Sequence, residues 1–181
     1  MAKVFIFLAT GFEETEAIAP IDILRRAGLE TEVVSVTSQK EVTGAHGITV
    51  VADSLFEDTD FSKGEMLILP GGMPGAKNLS EHAGLKKVMI NYNGNGKYIS
   101  AICAAPMVLG EMGLLKGEKA VSYPGYEKYL SGAQMTQERV VVSGKFVTGK
   151  GPGAAIEFAL KIVEILKTKS VAEEIASAFI V

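Results

Sequence analysis

Residues 98–106 read Tyr-Ile-Ser-Ala-Ile-Cys-Ala-Ala-Pro, and this stretch contains the unit on which the fold is built. The apolar run 98–102 predicts a buried strand, and Pro106 is typical of the first turn of a helix, expected here over 106–114. Cys103 is thereby predicted to lie on a tight strand-to-helix turn. The small residues Ala101 and Ala105 on either side are what a sharp reversal around a nucleophile requires.

The same alternation of short strands and longer helices extends along the chain. Predicted strands cover 4–8, 32–36, 66–69, 98–102, 140–143 and 146–148, with a hairpin over 42–51. Predicted helices cover 13–27, 79–91, 106–114, 154–166 and 171–179, with Pro20 expected to kink or interrupt the first and Gly28 to end it. This order favours an α/β fold, in which helices cover both faces of a mostly parallel sheet.

Three predicted strands end in turns of small residues, at 8–11, 69–72 and 101–105. In parallel sheets the carboxyl ends of the strands share one edge, and ligands bind outside it. The three turns are therefore expected to meet there.

The composition excludes several classes of protein. The 181 residues fit a single domain over 1–181, and a net charge of −3 without a basic run does not suggest nucleic acid binding. No apolar run approaches the roughly 18 residues of a membrane span, and the N-terminus lacks the layout of a signal peptide. A single cysteine suits a reducing compartment, so we expect a cytoplasmic protein.

The turn at Cys103 predicts a reactive thiol. The N–H groups and dipole of the helix after it are expected to lower the thiol pKa. The N–H groups of Gly72 and Ala104 form a plausible oxyanion hole. The alternative is a buried, inert cysteine, because free cysteines are among the most buried residues.

Glu13, Glu14 and Glu16 form an acidic cluster at the start of the first helix. Acids here stabilise the helix dipole, which explains them without any chemistry. An acid facing the thiol in a poorly solvated pocket would instead have a raised pKa and act as a general acid and base. The spacing alone does not say which of the three does so.

Two histidines, His46 and His82, are the only ones in the chain, and neither follows Cys103. This excludes a glutaminase-type triad with its histidine after the cysteine. His82 is expected at the surface, and His46 on the hairpin. No spacing suits a metal site, and 149–153 is interpreted as a tight glycine turn rather than a phosphate loop.

Four motifs, in this order and spacing, resemble the ThiJ/PfpI superfamily and, within it, the Parkinson-disease protein deglycase branch. They are Glu13-Glu14-Thr15-Glu16, Leu69-Pro70-Gly71-Gly72, Ala101-Ile102-Cys103-Ala104-Ala105-Pro106 and Gly151-Pro152-Gly153. The resemblance implies a three-layer flavodoxin-like (class I glutamine amidotransferase-like) sandwich and a homodimer. We expect no cofactor and no metal.

The resemblance also assigns roles to residues. It makes Cys103 the nucleophile and Glu16 the acid bonded to it, with Gly71, Gly72 and Ala104 at the oxyanion and substrate site. Residues named as further candidates for the pocket are Tyr123, His46 and Glu13. Tyr123 stands where several relatives carry histidine, and Ala104 stands where the peptidase branch has one.

The function implied is a cysteine-dependent enzyme that acts on reactive dicarbonyls or their glycated adducts. It would be a glutathione-independent glyoxalase or a deglycase, with a role in oxidative stress. The alternative is a redox-sensing chaperone in which Cys103 is oxidised without turnover. An intracellular cysteine peptidase is a third hypothesis, and the lack of a suitable histidine opposes it.

Overall fold

The computed structural model describes residues 2–181 of the chain. The strands found within those residues are β1 Lys3–Leu8, β2 Glu30–Ser35, β3 Glu41–Thr43, β4 Thr49–Val51, β5 Ser54–Leu55, β6 Met66–Leu69, β7 Tyr98–Ile102, β8 Lys119–Ala120, β9 Gln134–Met135, β10 Val140–Ser143 and β11 Phe146–Gly149. The α-helices are α1 Glu14–Arg26, α2 Gly75–Glu81, α3 Ala83–Gly94, α4 Pro106–Glu111, α5 Ala155–Leu166 and α6 Lys169–Phe179.

The central sheet has seven strands in the order β10-β11-β7-β6-β1-β2-β5. Every neighbouring pair is parallel except β10 and β11, so the predicted mostly parallel sheet is confirmed. In the sheet, β2 lies on one side of β1 and β6 lies on the other. The strand order therefore reverses at β1, which places a ligand crevice outside the carboxyl ends of β1 and β6.

Helices cover both faces of this sheet. On one face α1 packs against α5, and α5 packs against α6; on the other, α3 and α4 pack against β7. Right-handed crossovers require this division, because the chain moves in opposite directions from β1 to β2 and from β6 to β7. The result is the predicted three-layer flavodoxin-like architecture.

The central strands are apolar because both of their faces are buried. Residues 4–8 of β1 and 66–69 of β6 are each 0% exposed. Continuous apolar runs of this kind are typical of parallel strands covered on both sides. This core holds rigid the three strand ends on which the candidate site is built.

Three predictions in the helical segments need correction: the extents of two helices and the surface position of His82. The helix expected over 79–91 is two helices, α2 and α3, because His82 is extended (φ −77°, ψ 102°) and its ring Nδ1 accepts the Leu85 N–H. His82 is thus a half-buried cap rather than a surface residue. The helix expected to reach 114 ends at Glu111, before Gly113 at φ +71°. Pro20 lies within α1 without interrupting it.

The hairpin expected over 42–51 is confirmed as β3 paired antiparallel with β4. A second small sheet, β8 with β9, has no counterpart among the sequence-based predictions. Within residues 2–181, no helix has both the length and the apolarity that a membrane span needs.

Candidate active site

Cys103 lies on the turn between β7 and α4, with φ at +65°. This conformation is uncommon for a residue with a side chain and marks local strain, as in a nucleophile elbow. The Cys103 N–H donates to the Gly149 carbonyl (2.8 Å), and the Cys103 carbonyl accepts the Tyr123 N–H (2.8 Å). Hydrogen bonds to the end of β11 and to the loop that contains Tyr123 therefore fix the turn. The residue is 8% exposed.

The turn after β6 meets the cysteine turn, as predicted from the sequence. The Gly71 N–H donates to Glu16 Oε2 (2.8 Å), and the Gly71 carbonyl accepts the Glu13 N–H (2.9 Å). A Cβ on Gly71 would lie 2.6 Å from Glu16 Oε2 and 2.8 Å from the Cβ of Cys103. Only glycine therefore allows the three segments to approach this closely.

The start of α1 supplies the acid. Glu13 caps the helix, since its Oε2 accepts the Glu16 N–H (2.9 Å), and Glu16 is 0% exposed. Glu16 Oε1 is fully buried, and no nitrogen or oxygen among the described residues hydrogen-bonds it. The Cys103 thiol is the hydrogen-bonding group that remains for this carboxyl. Glu16 is thus the acid that faces the sulfur, whereas the sequence left the three glutamates equivalent.

Burial raises the pKa of Glu16 to about 7, although hydrogen bonds from Cys103 and from the Gly71 N–H oppose the shift. Near neutral pH the carboxyl is therefore present in both protonation states. A group with such a pKa is suited to donate and accept protons at physiological pH.

The expectation of a lowered thiol pKa is wrong. Burial, and then the Glu16 charge, raise the pKa of Cys103, and the N–H groups of Ala104 and Gly72 lower it only in part. The sequence indicates the helix N-terminus, which lowers the thiol pKa, but it does not reveal the buried carboxylate, which raises it. When Glu16 carries the proton its repulsion disappears, so the two groups titrate as a pair that shares one proton.

Two tyrosines near the thiol complete the immediate surroundings. Tyr123 bonds the Cys103 carbonyl through its backbone, and the Tyr126 N–H donates to the Tyr123 carbonyl (3.1 Å). Burial and the charge of Cys103 raise the pKa of Tyr126. The sequence analysis did not include Tyr126, because its proximity depends on how the loop after residue 122 folds back onto the turn.

His46 lies on the hairpin and is bound to Glu14, not to the thiol. Its ring Nδ1 lies 2.8 Å from Glu14 Oε2, and its backbone N–H donates to Glu14 Oε1 (2.7 Å). Glu13 lies close by, and one ligand atom from each of these three residues falls within 4.8 Å of the others. Both oxygens of Glu14 already accept hydrogen bonds, so this cluster ties the hairpin to α1.

Comparison with known proteins agrees with this geometry. The model of the DJ-1/PfpI family matches residues 2–165. Protein DJ-1 homolog A of Arabidopsis thaliana is 40% identical over 177 residues, which is 96% of this chain but only 45% of the Arabidopsis protein. This chain thus spans less than half the length of that relative. Deglycase TK1284 of Thermococcus kodakarensis is 34% identical, with 91% of this chain and 99% of that protein covered.

The fold is also similar to a solved structure, that of oxidized DJ-1 from Toxoplasma gondii. The TM-score is 0.96 at 41% identity, and the match covers 99% of this chain and 98% of the other. The family match spans all four motifs singled out in the sequence, from the acidic turn to the glycine turn at 151–153. With this agreement in sequence and in fold, the chain belongs to the DJ-1/PfpI family.

Proposed function

We propose that this protein is a Cys103-dependent enzyme that converts reactive dicarbonyls, or their glycated adducts, to hydroxy acids. The observation that carries the proposal is the pairing of a strained, nearly buried Cys103 with a fully buried Glu16 whose pKa is about 7. A relative named as a deglycase, with almost its whole length matched, supports the same class of substrate.

The first step is addition of the Cys103 thiolate to the aldehyde carbon of methylglyoxal. The proton shared by the pair then resides on Glu16. The new C–S bond makes the aldehyde oxygen an alkoxide, which the N–H groups of Gly72 and Ala104 stabilise before it takes the proton from Glu16. The product is a hemithioacetal, and Glu16 is left ionised.

Glu16 then moves one proton between two carbons. As a carboxylate it removes the hydrogen from the former aldehyde carbon, giving an enediolate whose hydroxyl proton passes to the neighbouring oxygen, and as an acid it returns its proton to the carbon that bears that oxygen. This leaves a lactoyl thioester on Cys103. Water adds to the thioester with Glu16 as base, and the thiolate leaves. The sum is methylglyoxal plus water to lactic acid, which ionises to lactate, with the pair restored.

The test is lactate formation from methylglyoxal without glutathione. We expect the wild type to form lactate and Cys103→Ser to fall to the uncatalysed rate. Glu16→Gln should lower kcat by about 10²–10⁴-fold, the range for loss of a general acid and base. The matched control is Glu57→Gln, since Glu57 is exposed and outside the site. No lactate from the wild type, or equal rates in Cys103→Ser, would overturn the proposal.

Oxidation of the thiol is a second candidate function, and the structure of oxidized Toxoplasma gondii DJ-1 favours it. Peroxide would convert the thiolate first to a sulfenic and then to a sulfinic acid, with one oxygen gained and one peroxide reduced at each step. A protonated Glu16 would donate a hydrogen bond to the sulfinate. Mass spectrometry after mild peroxide should find two added oxygens at Cys103, and no change there would exclude this role.

The assembly and location of the protein are also proposals. We propose a homodimer in the cytoplasm, on the resemblance to the family and on the single cysteine. Sedimentation analysis of the purified protein should give a species of twice the 19.2 kDa chain mass. A monomer at micromolar concentration would contradict the first proposal, and fractionation of cells tests the second.

A further inference from the structure

A cleft of about 570 Å³ lies beside the cysteine turn, between α2, α4 and the segment 125–129. Its walls include Met73, Met107, Tyr126 and Tyr129. The proposed reaction with methylglyoxal gives no function to this space, which is much larger than a three-carbon dicarbonyl needs.

The cleft adjoins the thiol through separate segments of chain. Met73 follows Gly72, whose N–H is directed at the sulfur, and Met107 lies on the first turn of the helix after Cys103. Tyr126 reaches the turn through the backbone hydrogen bonds of Tyr123. Three of the residues that line the cleft therefore come from segments that flank Cys103, although Cys103 itself is not among the lining residues.

Two carboxylates line the cleft, and Glu111 is the one that has no lysine partner among the described residues. Ser80 is 6% exposed, and its hydroxyl donates to Glu111 Oε2 (2.5 Å). The carboxylate is thus held in place by a buried neighbour on α2. Within residues 2–181, no lysine or arginine nitrogen lies within 4 Å of Glu111, so this charge is available to a ligand.

One positive charge also lines the cleft without an acidic partner. The Lys128 ammonium lies 5.1 Å from the ring centroid of Tyr129, which itself lines the cleft. No carboxylate of the described residues lies within 4 Å of it. The other lining lysine, Lys77, already pairs with Glu81 at 3.8 Å.

We propose that this cleft is a subsite for the zwitterionic end of an amino acid whose side chain carries the carbonyl adduct. Lys128 binds the α-carboxylate, Glu111 binds the α-ammonium, and the methionine and tyrosine walls contact the side chain between them. The inference rests on the proposed function, and it narrows the substrate to adducts of free amino acids. Residues inside a polypeptide have neither of these two charges.

The probe is S-(2-hydroxypropyl)-L-cysteine, a stable thioether that carries both α-charges and a hydroxyl in place of the carbonyl. Binding is measured by calorimetry to Cys103→Ser, which has no thiol. Two analogues each lack one charge: S-(2-hydroxypropyl)-N-acetylcysteine lacks the ammonium, and S-(2-hydroxypropyl)cysteamine lacks the carboxylate. The proposal predicts that the zwitterion binds more tightly than either analogue.

In the same Cys103→Ser background, loss of one charged side chain should weaken binding only of the ligands that carry the opposite charge. Lys128→Gln should weaken binding of the two ligands with a carboxylate by about two- to fivefold, and leave S-(2-hydroxypropyl)cysteamine unaffected. Glu111→Gln should weaken the two ligands with an ammonium by a similar factor, and leave S-(2-hydroxypropyl)-N-acetylcysteine unaffected. These factors are those of an ion pair between exposed groups.

The chain offers close controls for both variants. Lys145 also lies over a tyrosine ring (4.0 Å from the Tyr98 centroid), and Glu118 also accepts a serine hydroxyl, from Ser143. Lys145→Gln and Glu118→Gln should change no affinity. Failure of the zwitterion to bind at millimolar concentration, or losses that do not follow ligand charge, would overturn the subsite. If the subsite is overturned in this way but the wild type still forms lactate, the proposed function stands without the subsite.

Discussion

At the scale of single residues, the site depends on the absence of a side chain at Gly71 as much as on the side chains of Cys103 and Glu16. Gly71 joins the thiol and the acid, since its N–H binds Glu16 and its Cα lies against Cys103. Its need for glycine is steric, because its φ is not in the left-handed region. A sequence motif alone does not distinguish these two reasons for a glycine.

Gly71→Ala is therefore expected to separate Glu16 from Cys103. The new Cβ would meet Glu16 Oε2 at 2.6 Å and the Ile102 carbonyl at 2.9 Å. We expect lactate formation to fall at least about 100-fold and the free energy of unfolding to fall by about 1–3 kcal/mol, as for overpacking. The control is Gly153→Ala, whose Cβ would meet nothing within 4 Å. Equal activities in the two variants would contradict the steric role.

The raised pKa of Glu16 predicts a dependence of stability on pH. In the folded state the group binds its proton up to a pH of about 7, and in the unfolded chain only up to its ordinary value of 4.5. The wild type should therefore lose stability on this account as pH rises from 4.5 to 7. Integrated over that interval, the loss is about 3 kcal/mol.

Glu16→Gln removes this titration and retains a carbonyl oxygen for the Gly71 N–H. Urea unfolding at several pH values should find the variant close to wild type at pH 4.5 and more stable by about 3 kcal/mol at pH 8. A difference between the two proteins that stays constant from pH 4.5 to 8 would show that Glu16 titrates normally.

At the scale of elements, the hairpin of β3 and β4 is attached to α1 by one carboxylate. Glu14 is 6% exposed and accepts the backbone N–H groups of His46 and Ile48 as well as the His46 ring. A Cβ on Gly44 would lie 2.4 Å from Glu14 Oε1, so the hairpin packs directly against this side chain. Glu14 therefore holds the hairpin in place, whereas Glu16 faces the thiol.

Glu14→Ala should release the tip of the hairpin from α1. Because three hydrogen bonds to a buried carboxylate are lost, we expect unfolding to become easier by about 2 kcal/mol. In hydrogen exchange, the amides of His46 and Ile48 should lose protection while those of β1 keep theirs. Glu41→Ala, at an exposed position of β3, serves as control. Unchanged exchange at both amides would contradict the role given to Glu14.

The sequence predicts features that depend on neighbouring residues, and it does not predict features that depend on contacts between distant segments. The bounds of β7 agree with the prediction, because an apolar run that ends at a proline-led helix is a local signal. The break at His82 was missed, because a histidine ring that caps a helix has no clear local pattern. The pairing of Glu16 with Cys103 came from the family resemblance, since the contact joins segments far apart in sequence.

At the scale of the whole molecule, the core strands and both helical layers converge on one buried cluster. We propose that residues 1–181 form one domain. Thermal unfolding should then be a single transition, with far-UV circular dichroism and tyrosine fluorescence giving the same midpoint. Two separate midpoints would divide the chain into independent units.

The lone thiol at the junction of β1, β6 and β7 has a consequence for how motion in this protein can be observed. A thiol reagent has one target in the entire chain, and that target is 8% exposed. Where labelling requires the three strand ends to separate, its rate under native conditions measures the population of that open form. The natural sequence thus contains its own site-specific reporter of local opening, with no engineered label.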